Sequence, residues 1–182
     1  TGEWEVCATG WGGGGSDNAV VTTLASSAAG MTTYQLHTVL PATAANVYAL
    51  AGTTDQALTM PAAFQVAAPF GVDVGGVNPA FYAVSANAEF DSWLTVGPTD
   101  GSAGTGISTI GLGLDAWTAD AGISSDNGAL FWMNPADGPG GSDPICLAQV
   151  TVPTGSPVAA SGMLQGRSVS GTDWSVPIVW AA

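Results

Sequence analysis

The 182-residue chain carries 14 acidic residues against one basic residue, Arg167, for a formal net charge of −13, and it has no lysine. Such a polyanion cannot neutralise a phosphate backbone or settle on an anionic lipid surface, and without lysine it has no amine nucleophile. Charged residues make up only 8% and hydrophobic residues 46%, which excludes the usual composition of disorder, and no apolar run is long enough for a membrane-spanning helix.

In chain order, Glu3-Trp4-Glu5-Val6-Cys7-Ala8 alternates, with Trp4, Val6 and Ala8 on one face, and is predicted as a strand. Gly10–Asn18 is a glycine-rich linker. Residues 1–18 are therefore read as an extension strand plus linker, and residues 19–182 as a single β-sandwich domain. Predicted strands follow at Ala19–Ser26, Thr32–Leu40, Val47–Ala51, Ala57–Met60, Phe64–Ala67 and Ala80–Ser85. Further strands are predicted at Ser92–Val96, Ile107–Leu114, Ala129–Met133, Ile145–Val152, Val158–Gln165 and Asp173–Trp180. Clusters such as Gly75-Gly76-Val77-Asn78-Pro79, Asp126-Asn127-Gly128 and Pro153-Thr154-Gly155-Ser156-Pro157 separate them, because Gly and Asn accept positive φ and Pro presets φ.

Val150 and Val152 alternate with Gln149 and Thr151, and Val176, Ile178 and Trp180 share a face. Pro177 lacks the N–H that a central ladder needs, which places the last strand at an edge. Ala116–Gly122 is the best candidate for a single helical turn. Many short strands with closely spaced turns predict an all-β, mostly antiparallel sandwich, Ig-like or jelly-roll-like, with an N-terminal extension strand.

Few residues offer chemistry, and the chain is read as a non-enzyme. His37 is the sole histidine and sits within a predicted strand, with no nucleophile elbow in the chain. Glu89 and Asp91 are the best carboxylate pair, two apart and expected on one strand face, as a glycosidase would need them close together. A structural carboxylate accepting backbone N–H bonds is the plainer reading of Asp91. Metal-binding and cofactor-binding residues are expected to be absent. A structural calcium is left open, with oxygen ligands at Asp115, Asp120, Asp126, Asn127, Asp137 and Asp143, none in an EF-hand pattern.

Cys7 and Cys146 have no metal-ligand spacing. They read either as buried thiols or as a disulfide in an oxidising, extracellular or cell-surface setting, within one chain or between two. No asparagine heads an N-x-Ser/Thr sequence, so O-linked glycan is the form of glycosylation left open, at Thr99, Thr154 and Ser156. Of seven tryptophans, Trp11 inside the glycine run is the one least explained by a core.

From Tyr34 to Arg167 the chain resembles a β-rich domain of secreted surface proteins from aquatic microbes. The resemblance rests on Tyr34-Gln-Leu-His37, Val77-Asn-Pro-Ala-Phe-Tyr82, Glu89-Phe-Asp-Ser-Trp-Leu-Thr-Val-Gly97 and Leu164-Gln-Gly-Arg167 with Trp174. The layout is also similar to subunits of glycosylated environmental fibrils that polymerise pilus-like by N-terminal strand donation. That resemblance implies a donor strand at Glu3, Trp4, Glu5, Val6, Cys7 and Ala8, with residues 19–182 as acceptor. The expected function is a structural subunit of an extracellular filament, its partner a further copy in a head-to-tail homopolymer. If Cys7 rides on the donor strand, a disulfide to Cys146 joins neighbouring subunits. The alternative is a secreted carbohydrate-binding module, which requires several exposed tryptophans on one face.

Overall fold

The computed structural model describes residues 17–102 and 106–182, so the predicted donor strand Glu3–Ala8, and the linker up to Ser16, lie outside the described residues. The described chain is all-β, with two antiparallel sheets facing each other as a sandwich. The four-stranded sheet runs in the order β1 (Ala19–Thr23), β2 (Met31–Thr38), β9 (Ile145–Pro153), β5 (Trp93–Leu94). The seven-stranded sheet is built around β10 (Ala159–Ser168). β11 (Asp173–Ala181) pairs along one flank of β10. Its other flank takes β3 (Ala44–Ala51), then β4 (Leu58–Met60). Outside β3 and β4 lie β8 (Ala129–Trp132) and β7 (Ile123–Ser125), and β6 (Ile107–Ile110) pairs with β8.

The core follows from alternation. Leu130, Leu50 and Leu164 fall opposite one another across β8, β3 and β10 and are fully buried. Leu36 of β2 and Val150 and Val152 of β9 meet them from the other sheet. Tryptophan N–H groups tie the layers together: Trp180 on β11 donates to the carbonyl of His37 on β2 at 2.7 Å. On the far side, Trp132 on β8 donates to Val96, just past β5, at 2.9 Å. A third indole, Trp117, donates to Pro61 at 2.8 Å. Each indole buries apolar area and places its own N–H on a carbonyl, so the buried donor is matched.

Among the described residues Pro177 sits on an edge strand, as its chemistry requires. Val158 and Ala182 exchange both backbone bonds, so the even-numbered residues of β11 bond to β10. The missing N–H of Pro177 therefore falls on the side away from β10, where no described strand pairs with β11.

Two predicted strands are absent. Phe64–Ala67 is irregular, and Ala80–Ser85 gives way to a 3-10 turn at Pro79–Phe81, where the Asn78 side chain accepts from the Ala80 N–H. Both belong to an excursion, residues 61–92, that covers the outer face of the four-stranded sheet. β7 was not predicted, because Ile123-Ser124-Ser125 is too short and polar to show a period. The helical turn expected within Ala116–Gly122 is a 3-10 turn one step earlier, at Leu114–Ala116. Among the described residues no helix is long and apolar enough to cross a membrane.

Replacing Trp180 by Phe removes the bond to the His37 carbonyl, which keeps its ladder bond from the Val20 N–H, and should cost about 0.5–1.5 kcal/mol for the lost bond itself. Urea unfolding of the two proteins measures it; an unchanged midpoint would show that the inter-sheet bond contributes nothing.

Candidate functional site

The most polar interior of the molecule lies on the outer face of the four-stranded sheet. Gln149 and Thr151 alternate with the core valines of β9 and point away from the sandwich, yet both are buried beneath the 61–92 excursion. Gln149 Nε2 donates to the carbonyls of Glu89 and Asp91 at 2.9 and 2.8 Å, while its Oε1 accepts from Gln35 at 3.1 Å. The Thr151 N–H donates to Ser92 Oγ at 3.0 Å, and the Thr151 carbonyl accepts from the Phe64 N–H at 2.7 Å.

Asp91 is the centre of this layer. Its side chain has no exposed surface, and its two carboxylate oxygens accept from the Val66 and Val72 N–H groups, each at 2.7 Å. Burial pushes its pKa up to about 6, opposed by these backbone bonds and helped by the nearby Asp73 carboxylate. Gly71 permits the approach: a Cβ there would lie 1.8 Å from the Val66 carbonyl and 3.0 Å from Asp91 Oδ2. Glu89, expected on the same strand face, stands instead in a 3-10 turn, Ala88–Phe90, with an exposed side chain. One carboxylate is buried in a clamp and the other is in solvent, so the pair is not a glycosidase arrangement.

Cys146 lies under the same cover, packed with Val77, Ala88 and Trp93. It is a free thiol directed at the Ala148 carbonyl at 3.6 Å, and burial pushes it up to about 12. The disulfide expected at this position is thus not seen, and Cys7 lies outside the described residues. His37 is buried in β2, its pKa lowered by desolvation, and its Nδ1 has no hydrogen-bond partner among the described residues.

The candidates for calcium ligation are dispersed: among the described residues no three His, Cys, Asp or Glu side chains gather as a metal site. Asp73 and Asp115 border one open hollow of about 520 Å³, where burial and the Asp115 charge raise the Asp73 pKa. Of the five described tryptophans, Trp93, Trp117 and Trp180 are buried and Trp132 and Trp174 half-buried. None of them forms the exposed stacking face that a carbohydrate-binding module needs. Thr99 is exposed in a loop and Thr154 on a turn, whereas Ser156 is half-buried.

One apolar opening remains. Where β1 begins, a groove of about 210 Å³ runs between the two sheets, lined by Asn18, Thr38, Leu40, Leu164, Trp174 and Val176. The Trp174 indole lies flat on β10 because residue 166 is glycine; a Cβ there would fall 2.1 Å from the ring. Thr38 Oγ1 and Trp174 Nε1 are buried at this groove without a hydrogen-bond partner among the described residues. Residue spacing did not reveal the groove, since its walls come from β2, β10 and β11 and the chain between β2 and β3.

Comparison with protein-family models, with curated proteins and with solved structures finds no match to this chain.

Two predictions follow from the buried layer. The folded pKa of Asp91, about 6, lies above the ordinary carboxylate value. Its contribution to stability is therefore fully present below about pH 4 and lost as pH rises through about 6. His37 acts with the opposite sign, since a lowered pKa costs stability as pH falls below its ordinary value. The parent and Asp91→Asn should accordingly be compared at each pH. Urea midpoints from pH 4 to 7 should fall more steeply in the parent than in the variant, and parallel curves would count against a burial-raised Asp91 carboxyl. Maleimide at pH 8, read by mass, should modify Cys146 orders of magnitude more slowly in the folded protein than after unfolding.

Proposed function

We propose that the chain is a structural subunit of an extracellular filament, joined head-to-tail by donation of the Glu3–Ala8 strand to the neighbouring sandwich. The observation that carries this reading is the groove at the start of β1. It is apolar and it opens between the sheets beside the edge of β1 that no described strand pairs. An extended segment suits both features, because its alternate side chains fill the groove while its main chain pairs with a sheet edge. Trp4, Val6 and Ala8 alternate as such a segment requires.

The edges support the same reading. Among the described residues β1 has a strand on one side only, β2, and the outward main-chain groups of Ala19, Val21 and Thr23 are open to a further strand. A head-to-tail contact of this kind does not close on itself and so produces a fibre. With one arginine and no lysine, ion pairs between subunits contribute little, and apolar burial with main-chain bonding supplies the cohesion. No described tryptophan supports the carbohydrate-binding alternative.

Electron microscopy of the full chain tests the proposal. The parent should form filaments, and Val6→Asp should leave dispersed subunits of unchanged circular dichroism. Filaments assembled by Val6→Asp, or by a chain lacking residues 1–10, would overturn it.

A further inference from the structure

Strand register sets an unbroken apolar row across the face of the seven-stranded sheet that points away from the core. Ile110, Ala129, Ala51, Met163 and Pro177 lie opposite one another in turn across β6, β8, β3, β10 and β11. The adjacent row on this face includes Phe131, Ala49 and Gln165. The row between them, with Leu130, Leu50 and Leu164, belongs to the core, so period-2 alternation turns the two flanking rows outward. Ile110 is 66% exposed, and Met133, in phase with Phe131 just past the end of β8, is 69% exposed.

This face is also electrically neutral. Arg167 and Asp173, paired at 3.2 Å, are the only charged residues on any strand of the sheet. Every other acidic residue among the described residues stands in a loop or a 3-10 turn, and the cover on the opposite side of the sandwich carries Asp73, Glu89 and Asp91. In a chain of net charge −13, two copies repel through most approaches. The neutral sheet face is where they can meet without setting like charges together, and it presents Ile110, Met133, Phe131 and Met163, with Ala49 and Ala51 buried between larger neighbours.

We infer that this face is a lateral contact between copies of the chain, with two seven-stranded sheets packing outer face to outer face. Five strands about 4.8 Å apart and three side-chain rows span on the order of 400 Å². A stable complex buries roughly 800 Å² per partner, so free subunits associate weakly through this face. Linked subunits add their contacts, and filaments therefore bundle side by side. The bundling step rests on the head-to-tail reading; the pairing of faces does not.

The test uses the full chain and Ile110→Glu, which places a carboxylate on an already exposed position. Sedimentation velocity at rising protein concentration should show self-association of unassembled subunits that strengthens with added salt, as screening weakens repulsion between the loop carboxylates. Ile110→Glu should weaken it at least about tenfold, and Met133→Glu, a second exposed site, should do the same. Where filaments form, the parent should bundle in micrographs and both variants should give single filaments. Equal association or bundling in parent and variants overturns the lateral contact, even if filaments form. Face pairing of subunits that never form filaments supports the lateral contact while removing the head-to-tail reading.

Discussion

The buried Asp91 carboxylate is the constraint around which the cover of the four-stranded sheet, residues 61–92, is arranged. It joins Val66 and Val72 through their N–H groups, while Gln149 holds the Glu89 and Asp91 carbonyls from below. Backbone bonds from Phe64 to Thr151 and between Asp73, Gly75 and Leu94 hold the same excursion, with Val77 and Ala88 packed among Phe70, Val72, Phe81 and Tyr82. A polar layer of this kind is tolerated because nearly every buried donor and acceptor in it is matched. The same cover encloses Cys146, which makes the thiol inert as well as inaccessible. A charge that sequence inspection could assign to catalysis serves here as a fastening.

Elsewhere the sandwich is closed by indoles. Trp180 and Trp132 each carry an N–H from the seven-stranded sheet to a carbonyl of the other layer. Trp174 differs because its N–H has no described partner and its ring lies over Gly166 beside an apolar opening. The same residue type thus marks both sealed parts of the inter-sheet space and an open groove between the sheets. Charge is segregated in a parallel way: strands carry almost none, loops carry the acids, and the neutral surface is the open face of the larger sheet.

Alternation read from the sequence located most strands because period-2 burial is a local property. Leu36 in β2, Val150 and Val152 in β9, and Ile178 with Trp180 in β11 all face the core as their spacing implied. The edge position of β11 was legible in Pro177 for a covalent reason, the missing N–H. Alternation could not say what covers the second face of a strand. Gln149 and Thr151 have the phase of solvent-facing residues and are nonetheless buried, because a segment remote in sequence folds over them. For the same reason Phe64–Ala67 and Ala80–Ser85, apolar enough to pass for strands, are parts of that cover. Glu89 and Asp91 were found together by spacing, but a 3-10 turn rotates one outward and buries the other.

The sequence by itself determined the all-β class, the polyanionic character, the lack of amine chemistry and the edge role of Pro177. Each depends on composition, a two-residue period or the covalent structure of one residue. Only the tertiary structure decided that Asp91 is a clamp, that Cys146 is sealed, that Trp174 borders a groove and that the neutral face is continuous. Those properties belong to residues 20 to 120 positions apart in the chain, brought together by strand pairing and by hydrogen bonds that no local pattern encodes.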